Sequence, residues 1–242
     1  MERFEWHSRV GLYGISSRDC DVSCQANGSV FERETLTVVV IEENEMTAVA
    51  KKRLTAEEYL AIERKAEFRS EYFAGEMFAM SGASREHNLI VSNLNREVGE
   101  QLKDRPCEIY PSDMRVRIPS GLYTYPDVVV VCGSPKFDDD HVDTLLNPLV
   151  LIEVLSESTA DYDRGTKFKH YRQITSLREY VLVDQEATQI EHFALGGDGK
   201  WSLTEIAGLD QVLKLNSIEC QIPLFEIYRK VTFKEADSGE LP

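Results

Sequence analysis

Residues Leu149 to Tyr171 read LVLIEVLSESTADYDRGTKFKHY. From Leu149 to Leu155 this stretch is apolar except for one carboxylate, Glu153, which is how a short strand buried on both faces reads. Pro148 stands just before it, where it can open a strand without breaking a ladder. A charge in such a strand costs several kcal/mol unless a metal ion, an arginine or a lysine meets it. Ser156 to Tyr162 is a polar loop, and Asp163 is expected to cap a helix whose positive end suits its carboxylate. Lys167 and Tyr171 are four apart and share a face of that helix. The helix would return over the sheet and could carry the Lys167 ammonium back toward the strand that holds Glu153.

A second strand repeats the oddity. Tyr125-Pro126-Asp127 leads into Val128-Val129-Val130-Val131-Cys132, with the carboxylate at the mouth of a β-branched run. Two carboxylates can hold a magnesium ion that keeps most of its waters and meets a substrate phosphate. Such an ion lowers the pKa of a bound water and stabilises charge on phosphoryl oxygens. A lysine beside it can orient or deprotonate the attacking water, or neutralise developing charge.

With YPDVVVV, LIEVLSEST, DYDRGTKFKHY and REYVLVD in this order, the chain resembles the PD-(D/E)xK restriction-endonuclease-like superfamily, and within it the endonuclease family called Uma-two. The resemblance runs over roughly Leu54 to Tyr228. It implies an α/β (α+β) fold, a central mixed β-sheet flanked by helices with extra antiparallel strands. It also implies a Mg2+-dependent endonuclease (Mn2+ as substitute) acting on DNA, as a homodimer. Asp127 and Glu153 would be the metal ligands, and Asp127, Glu153 and Lys167 the catalytic set. Glu71, His87, Lys169 and Tyr171 stand as accessory candidates. One departure is visible: the superfamily's lysine two residues after the acid is replaced here by Leu155, and the lysine on the following helix matches Lys167, with Lys169 close by.

The 242 residues are 42% hydrophobic, enough for one good-sized core. No run is long enough to span a bilayer, and no basic-then-apolar signal opens the chain, which predicts a cytosolic protein. Five cysteines, scattered and odd in number, are expected to be plain thiols, Cys132 as core. The net charge of −15 argues against a polyanion partner, because nucleic-acid binders usually carry a basic footprint. Lys65, Arg69, Arg85, Arg115, Arg117, Arg164, Lys167, Lys169 and Arg172 could gather into a basic face.

Residues 1–45 read as an atypical, poorly ordered leader with a strand-like run at Leu36–Glu43, and Met46 as the natural start. Residues 46–231 form one domain and 232–242 a loose acidic tail. Thr55-Ala56-Glu57-Glu58 is a capping box opening a helix whose apolar side is Tyr59, Leu60 and Ile62. Glu71 to Met80 reads as two short strands around Gly75. His87 opens the next helix, either as a hydrogen-bonding helix-start residue or as a group reaching the phosphate. Ile90, Val91, Leu94, Val98 and Leu102 form that helix's inner face. Cys107 to Ile118 reads as one strand with Arg115 and Arg117 on a solvated face, and Lys136 to Asp143 as a solvated acidic loop. Strands after Arg178 suggest antiparallel additions to a mixed sheet.

Three functions fit these residues: a magnesium-dependent endonuclease, a non-catalytic module binding nucleic acid or protein, and a metal-dependent hydrolase of another phosphate ester. Singly, Asp127, Glu153 and Lys167 have ordinary readings as a turn residue, a buried paired acid and a surface lysine. Their order and spacing favour the first function.

Overall fold

The computed structural model describes residues 53–233. The expected leader, the start at Met46, Cys20, Cys24 and the end of the acidic tail lie outside the described residues. Helix α1 (Ala56–Glu63) starts at the predicted capping box: Thr55 Oγ1 accepts from Glu58 N–H at 3.2 Å, and Glu58 Oε2 accepts from Thr55 N–H at 2.9 Å. Its inner side is Tyr59, Leu60 and Glu63, while Ile62 is exposed, contrary to expectation. Strands β1 (Ser70–Phe73) and β2 (Glu76–Ala79) form the predicted hairpin. Ala74 and Gly75 both have positive φ, the primed turn that two-residue hairpins use. Helix α2 (Arg85–Leu102) buries Ile90, Asn93, Leu94, Val98 and Leu102, close to the predicted face.

The segment expected as one strand from Cys107 is two. β3 (Cys107–Pro111) and β4 (Arg115–Arg117) are parted by a turn in which Met114 N–H donates to the Pro111 carbonyl, and they join different sheets. There follow β5 (Tyr123–Thr124), β6 (Val128–Cys132), β7 (Thr144–Leu145) and β8 (Val150–Leu155). A helical crossover comes next, made of α3 (Ala160–Tyr162), a π-type turn (Asp163–Lys167) and α4 (Phe168–Tyr171). The chain then runs through β9 (Glu179–Asp184), β10 (Gln189–Leu195), β11 (Trp201–Ala207), β12 (Val212–Leu215), β13 (Cys220–Pro223) and α5 (Leu224–Ile227).

The main sheet has the order β11-β10-β9-β8-β6-β3. Only β8 and β9 run parallel in it, and the helical crossover makes that direction possible. β10 and β11 are the expected antiparallel additions. A second sheet, β2-β1-β5-β4-β7, packs nearby. Alternate residues of β6, β8 and β9 serve two cores. Val128, Val130, Val150, Ile152 and Val154 face α2, α5, β12 and β13. Val129, Val131, Leu151, Leu155, Tyr180 and Leu182 face the crossover and the second sheet. Each fully buried aliphatic side chain contributes roughly 2 kcal/mol, so these two layers dominate the stability.

Several expectations are corrected. Cys107 and Cys132 are cross-strand partners and form a disulfide, not two thiols; the β3–β6 register sets them face to face. Cys220 is a buried free thiol, as expected. Arg115 is buried, not solvated, because Asp143, Thr144 and Tyr125 supply partners: Nη2 lies 2.9 Å from Asp143, Nε donates to Thr144 at 2.9 Å and Nη1 to Tyr125 at 2.8 Å. The acidic loop is largely exposed, as expected, with Asp138 meeting Arg117 while Asp139 and Asp143 meet Arg64. Six of the nine residues expected on a basic face are buried or paired. Arg115 and Lys167 are buried, and Arg69, Arg85, Arg117 and Arg164 each meet a carboxylate.

Candidate active site

Strand alternation puts both key acids on one face. Val128 pairs with Ile152, so the same register continued by one residue sets Asp127 opposite Glu153. Glu153 alternates with Leu151 and Leu155, and Asp127 with Val129 and Val131, all of the layer beneath the crossover. Both acids are buried. Asp127 is fixed at both oxygens: Oδ2 accepts from Val154 N–H at 2.8 Å, and Oδ1 lies 3.0 Å from His87 Nε2. His87 therefore does two things in the first turn of α2. Its backbone N–H takes the Ser84 cap at 3.0 Å, and its ring meets the acid.

The crossover supplies the cation. Lys167 Nζ, 6% exposed by residue, lies 2.9 Å from Glu153 Oε1, 3.2 Å from Glu71 Oε1 and 3.3 Å from Asp163 Oδ1. Tyr171 OH donates to Glu153 Oε1 at 2.7 Å. Glu71 comes from β1, where Thr124 Oγ1 donates to its Oε1 and Tyr162 OH to its Oε2 at 3.4 Å. Of the accessory candidates, Glu71, His87 and Tyr171 join the cluster. Lys169 does not: it is exposed on the outer side of α4, which settles which lysine meets the acids.

Asp163 is a correction in its own right. The helical segment begins at Ala160, after Thr159, and the Asp163 carboxylate caps nothing. It is buried inside the π-type turn, four residues before Lys167 and eight before Tyr171, on the face those two share. That spacing was readable as i, i+4 and could have assigned Asp163 inward. Tyr162 and Thr124 were missed too, and nothing local in the sequence marks them.

The electrostatics of the cluster are lopsided. Four carboxylates, from Glu71, Asp127, Glu153 and Asp163, face one ammonium and one imidazole. Burial pushes Glu153 up to about 8; Lys167 opposes this, while Asp163 and Asp127 add to it. Asp163 is also raised, chiefly by burial. Burial pulls the Lys167 ammonium down, but Glu153, Tyr171, Glu71 and Asp163 more than reverse that, and its pKa stands well above the ordinary value. Tyr171 is raised well above its usual range by burial and by Glu153, so it stays a donor. Asp163 Oδ1 is buried and lies 3.3 Å from the Lys167 ammonium.

This oxygen-only, over-acidic set fits a hard divalent cation. Among the described residues no three His, Cys, Asp or Glu side chains converge as a ready cage. Magnesium is ordinarily held by one or two carboxylates and completed by water and substrate, so a pair of acids is the fitting form.

A family of known proteins matches this chain over residues 56–224, which include every residue of the cluster; it is described as Uma2, "Putative restriction endonuclease". The chain belongs to the Uma2 family. Two Synechocystis sp. relatives are similar to it. "Uncharacterized protein sll1609" is 43% identical over 164 residues, 67% of this chain and 93% of its own length. "Uncharacterized protein slr1290" is 35% identical over 182 residues, 75% of this chain and 94% of its own. The fold is similar to the crystal structure of "a putative nuclease belonging to DUF820" from Anabaena variabilis, with a TM-score of 0.60 and 17% identity, covering 71% of this chain and 96% of that one. At that identity the likeness speaks for the fold alone. Among the described residues of this Uma2 chain, no helix is long and apolar enough to cross a membrane.

Proposed function

We propose that this chain is a divalent-metal-dependent endonuclease that hydrolyses phosphodiester bonds in DNA, with Mg2+ as the metal and Mn2+ as substitute. The observation that carries the reading is the Lys167 ammonium 2.9 Å from Glu153, on the strand face that also bears Asp127. Asp127 and Glu153 would hold the metal, which when bound supplies an activated water and a counter-charge for the phosphoryl oxygens. His87 and the Val154 N–H fix the Asp127 carboxylate, and Tyr171 orients Glu153. Lys167, with its raised pKa, works as a permanent cation. It positions a substrate or water oxygen and offsets the charge that builds on the phosphate, and it does not take up a proton. Glu71 and Asp163 hold that ammonium in place.

Incubation with supercoiled and linear DNA in Mg2+ or Mn2+ is the direct test. Cleavage that disappears in Asp127→Ala, Glu153→Ala and Lys167→Ala supports the reading. The net charge of −15 favours a second one, a non-catalytic module that keeps the fold and binds nucleic acid or protein; DNA binding without cutting would select it. Turnover of small phosphodiesters alone would select a hydrolase of another ester.

A further inference from the structure

The segment from Phe78 to His87 is pinned to the cluster at both ends. Phe78 is the cross-strand partner of Glu71, so the two side chains leave the hairpin on the same face. At the other end, His87 reaches Asp127. The segment therefore begins and ends beside residues of the cluster. Every residue from Phe78 to Arg85 is exposed. The run reads Phe-Ala-Met-Ser-Gly-Ala-Ser-Arg and contains no carboxylate, in a chain with 42 acidic residues among 242. It is aromatic at one end and small in the middle, and it ends at Arg85, which pairs with the next residue, Glu86, at 3.0 Å.

Phe78 is 51% exposed, Met80 37% and, beyond the start of the same hairpin, Phe68 75%. Phe78 and Met80, two apart, leave the strand end on one face and both meet water. Beside Glu71, the Tyr162 ring is part-exposed and its hydroxyl holds the acid. A base flanking the scissile phosphate is an occupant that suits an aromatic ring beside the acid cluster. Bases within a duplex are already stacked and cannot offer a face to Phe78.

Building on the nuclease reading, we infer that Phe78 is a substrate-stacking residue, that residues 78–85 form the strip on which nucleic acid lies, and that the preferred substrate carries unpaired nucleotides at the cut. The strip confers specificity and takes no part in the chemistry at the metal.

The test is binding of oligonucleotides with 2-aminopurine at successive positions, single-stranded and as the matched duplex, with Ca2+ replacing Mg2+. The single strand is expected to bind at least about tenfold more tightly than the duplex, with fluorescence quenched at one position. Phe78→Ala should lose about tenfold in single-strand affinity, together with the quench, and Phe78→Trp should keep both. Phe78 is half exposed on an edge strand, so both variants should keep the wild-type melting temperature. Equal affinity of wild type and Phe78→Ala, or a duplex preference unchanged in both, overturns the inference. Plasmid cleavage reports separately on the nuclease reading: stacking without cleavage would leave Phe78 as a nucleic-acid-stacking residue and remove the cut.

Discussion

Two buried glutamates sit on neighbouring strands of one sheet and behave in opposite ways. Glu179 opens β9 and Glu153 lies in the middle of β8, on opposite faces. Glu179 is saturated with donors. His192 Nε2 lies 3.1 Å from Oε1, the N–H groups of Asn216 and Ser217 donate at 2.9 and 3.1 Å, and Ser217 Oγ adds another. Those donors hold its pKa below the usual value although burial pushes the other way. Glu153 has two neighbouring donors and rival acids, and is pushed up. A buried acid that is fully donated to is a staple, here tying β9 to the turn before β13. An acid left short of positive charge is poised to receive some. Both side chains are shielded from water; the donors outweigh burial at Glu179, while burial and the neighbouring acids outweigh the donors at Glu153.

The largest effect should separate the two by activity. Glu153→Gln, Asp127→Asn and Lys167→Ala should each lower DNA cleavage by about 10²–10³-fold or more, the scale of removing one preorganised charge-stabilising group. Glu179→Gln should leave cleavage per folded molecule within about twofold of wild type. Plasmid nicking rates, normalised to folded protein by near-ultraviolet circular dichroism, check this. A Glu179 variant as dead as the Glu153 variant would erase the distinction.

Stability should order them the other way. Glu179→Ala strands His192, two backbone N–H groups and a hydroxyl, at a cost of about 3 kcal/mol. In a domain of this size that is roughly 6–12 °C in melting temperature. Glu153, pushed up to about 8, is largely protonated at pH 7, a form that Gln matches in shape, while Lys167 keeps Glu71 and Asp163, so the metal-free protein should change by no more than about 1 kcal/mol at that pH. Thermal melts in EDTA measure both.

The legibility of this molecule follows the same division. Local patterns carried the strands of β6 and β8, the capping box at Thr55, the inner face of α2 and the hairpin at Gly75, because each depends on neighbours in sequence. Asp127, Glu153 and Lys167 could be proposed together since two strands and a crossover have few ways to meet. Pairings across long separations were hidden. Arg115 looked solvated because its partner Asp143 is far along the chain. The Cys107–Cys132 disulfide depends on the β3–β6 register, which no local motif states. Asp163 was misplaced because a cap residue and a buried helical acid look alike until the helix start is known. His87 and Glu71 were ambiguous for the same reason, one near a helix end and the other on a strand.

A pH scan sharpens the contrast through its sign. The depressed pKa of Glu179 contributes stability above the ordinary glutamate range, and this is lost as pH falls through the lower folded value. The raised pKa of Glu153 works in reverse. Its contribution is complete below about 4.5 and is lost as pH rises toward about 8, because the unfolded chain gives up the proton first. Melting temperature in EDTA should therefore fall as pH drops below about 4.5, through Glu179, and fall as pH rises from about 4.5 toward 8, through Glu153. Glu179→Gln should flatten the acid limb and Glu153→Gln the alkaline one, each by a few degrees. If either substitution flattened the wrong limb, the assignment of staple and site would be reversed.

The smallest effect concerns the metal itself. A divalent cation at Asp127 and Glu153 relieves the excess of acid over base, so it should bind the folded chain and not the unfolded one. At a concentration about ten times its Kd, such binding stabilises by about 1.4 kcal/mol, or roughly 3–6 °C. The rise should be larger at pH 8.5 than at pH 6, because the cation must displace the Glu153 proton. Glu179→Gln should show the same rise as wild type, and Asp127→Asn and Glu153→Gln none. Metal-induced stabilisation that survived both site substitutions would place the cation elsewhere and leave Lys167 as the only positive partner Glu153 needs.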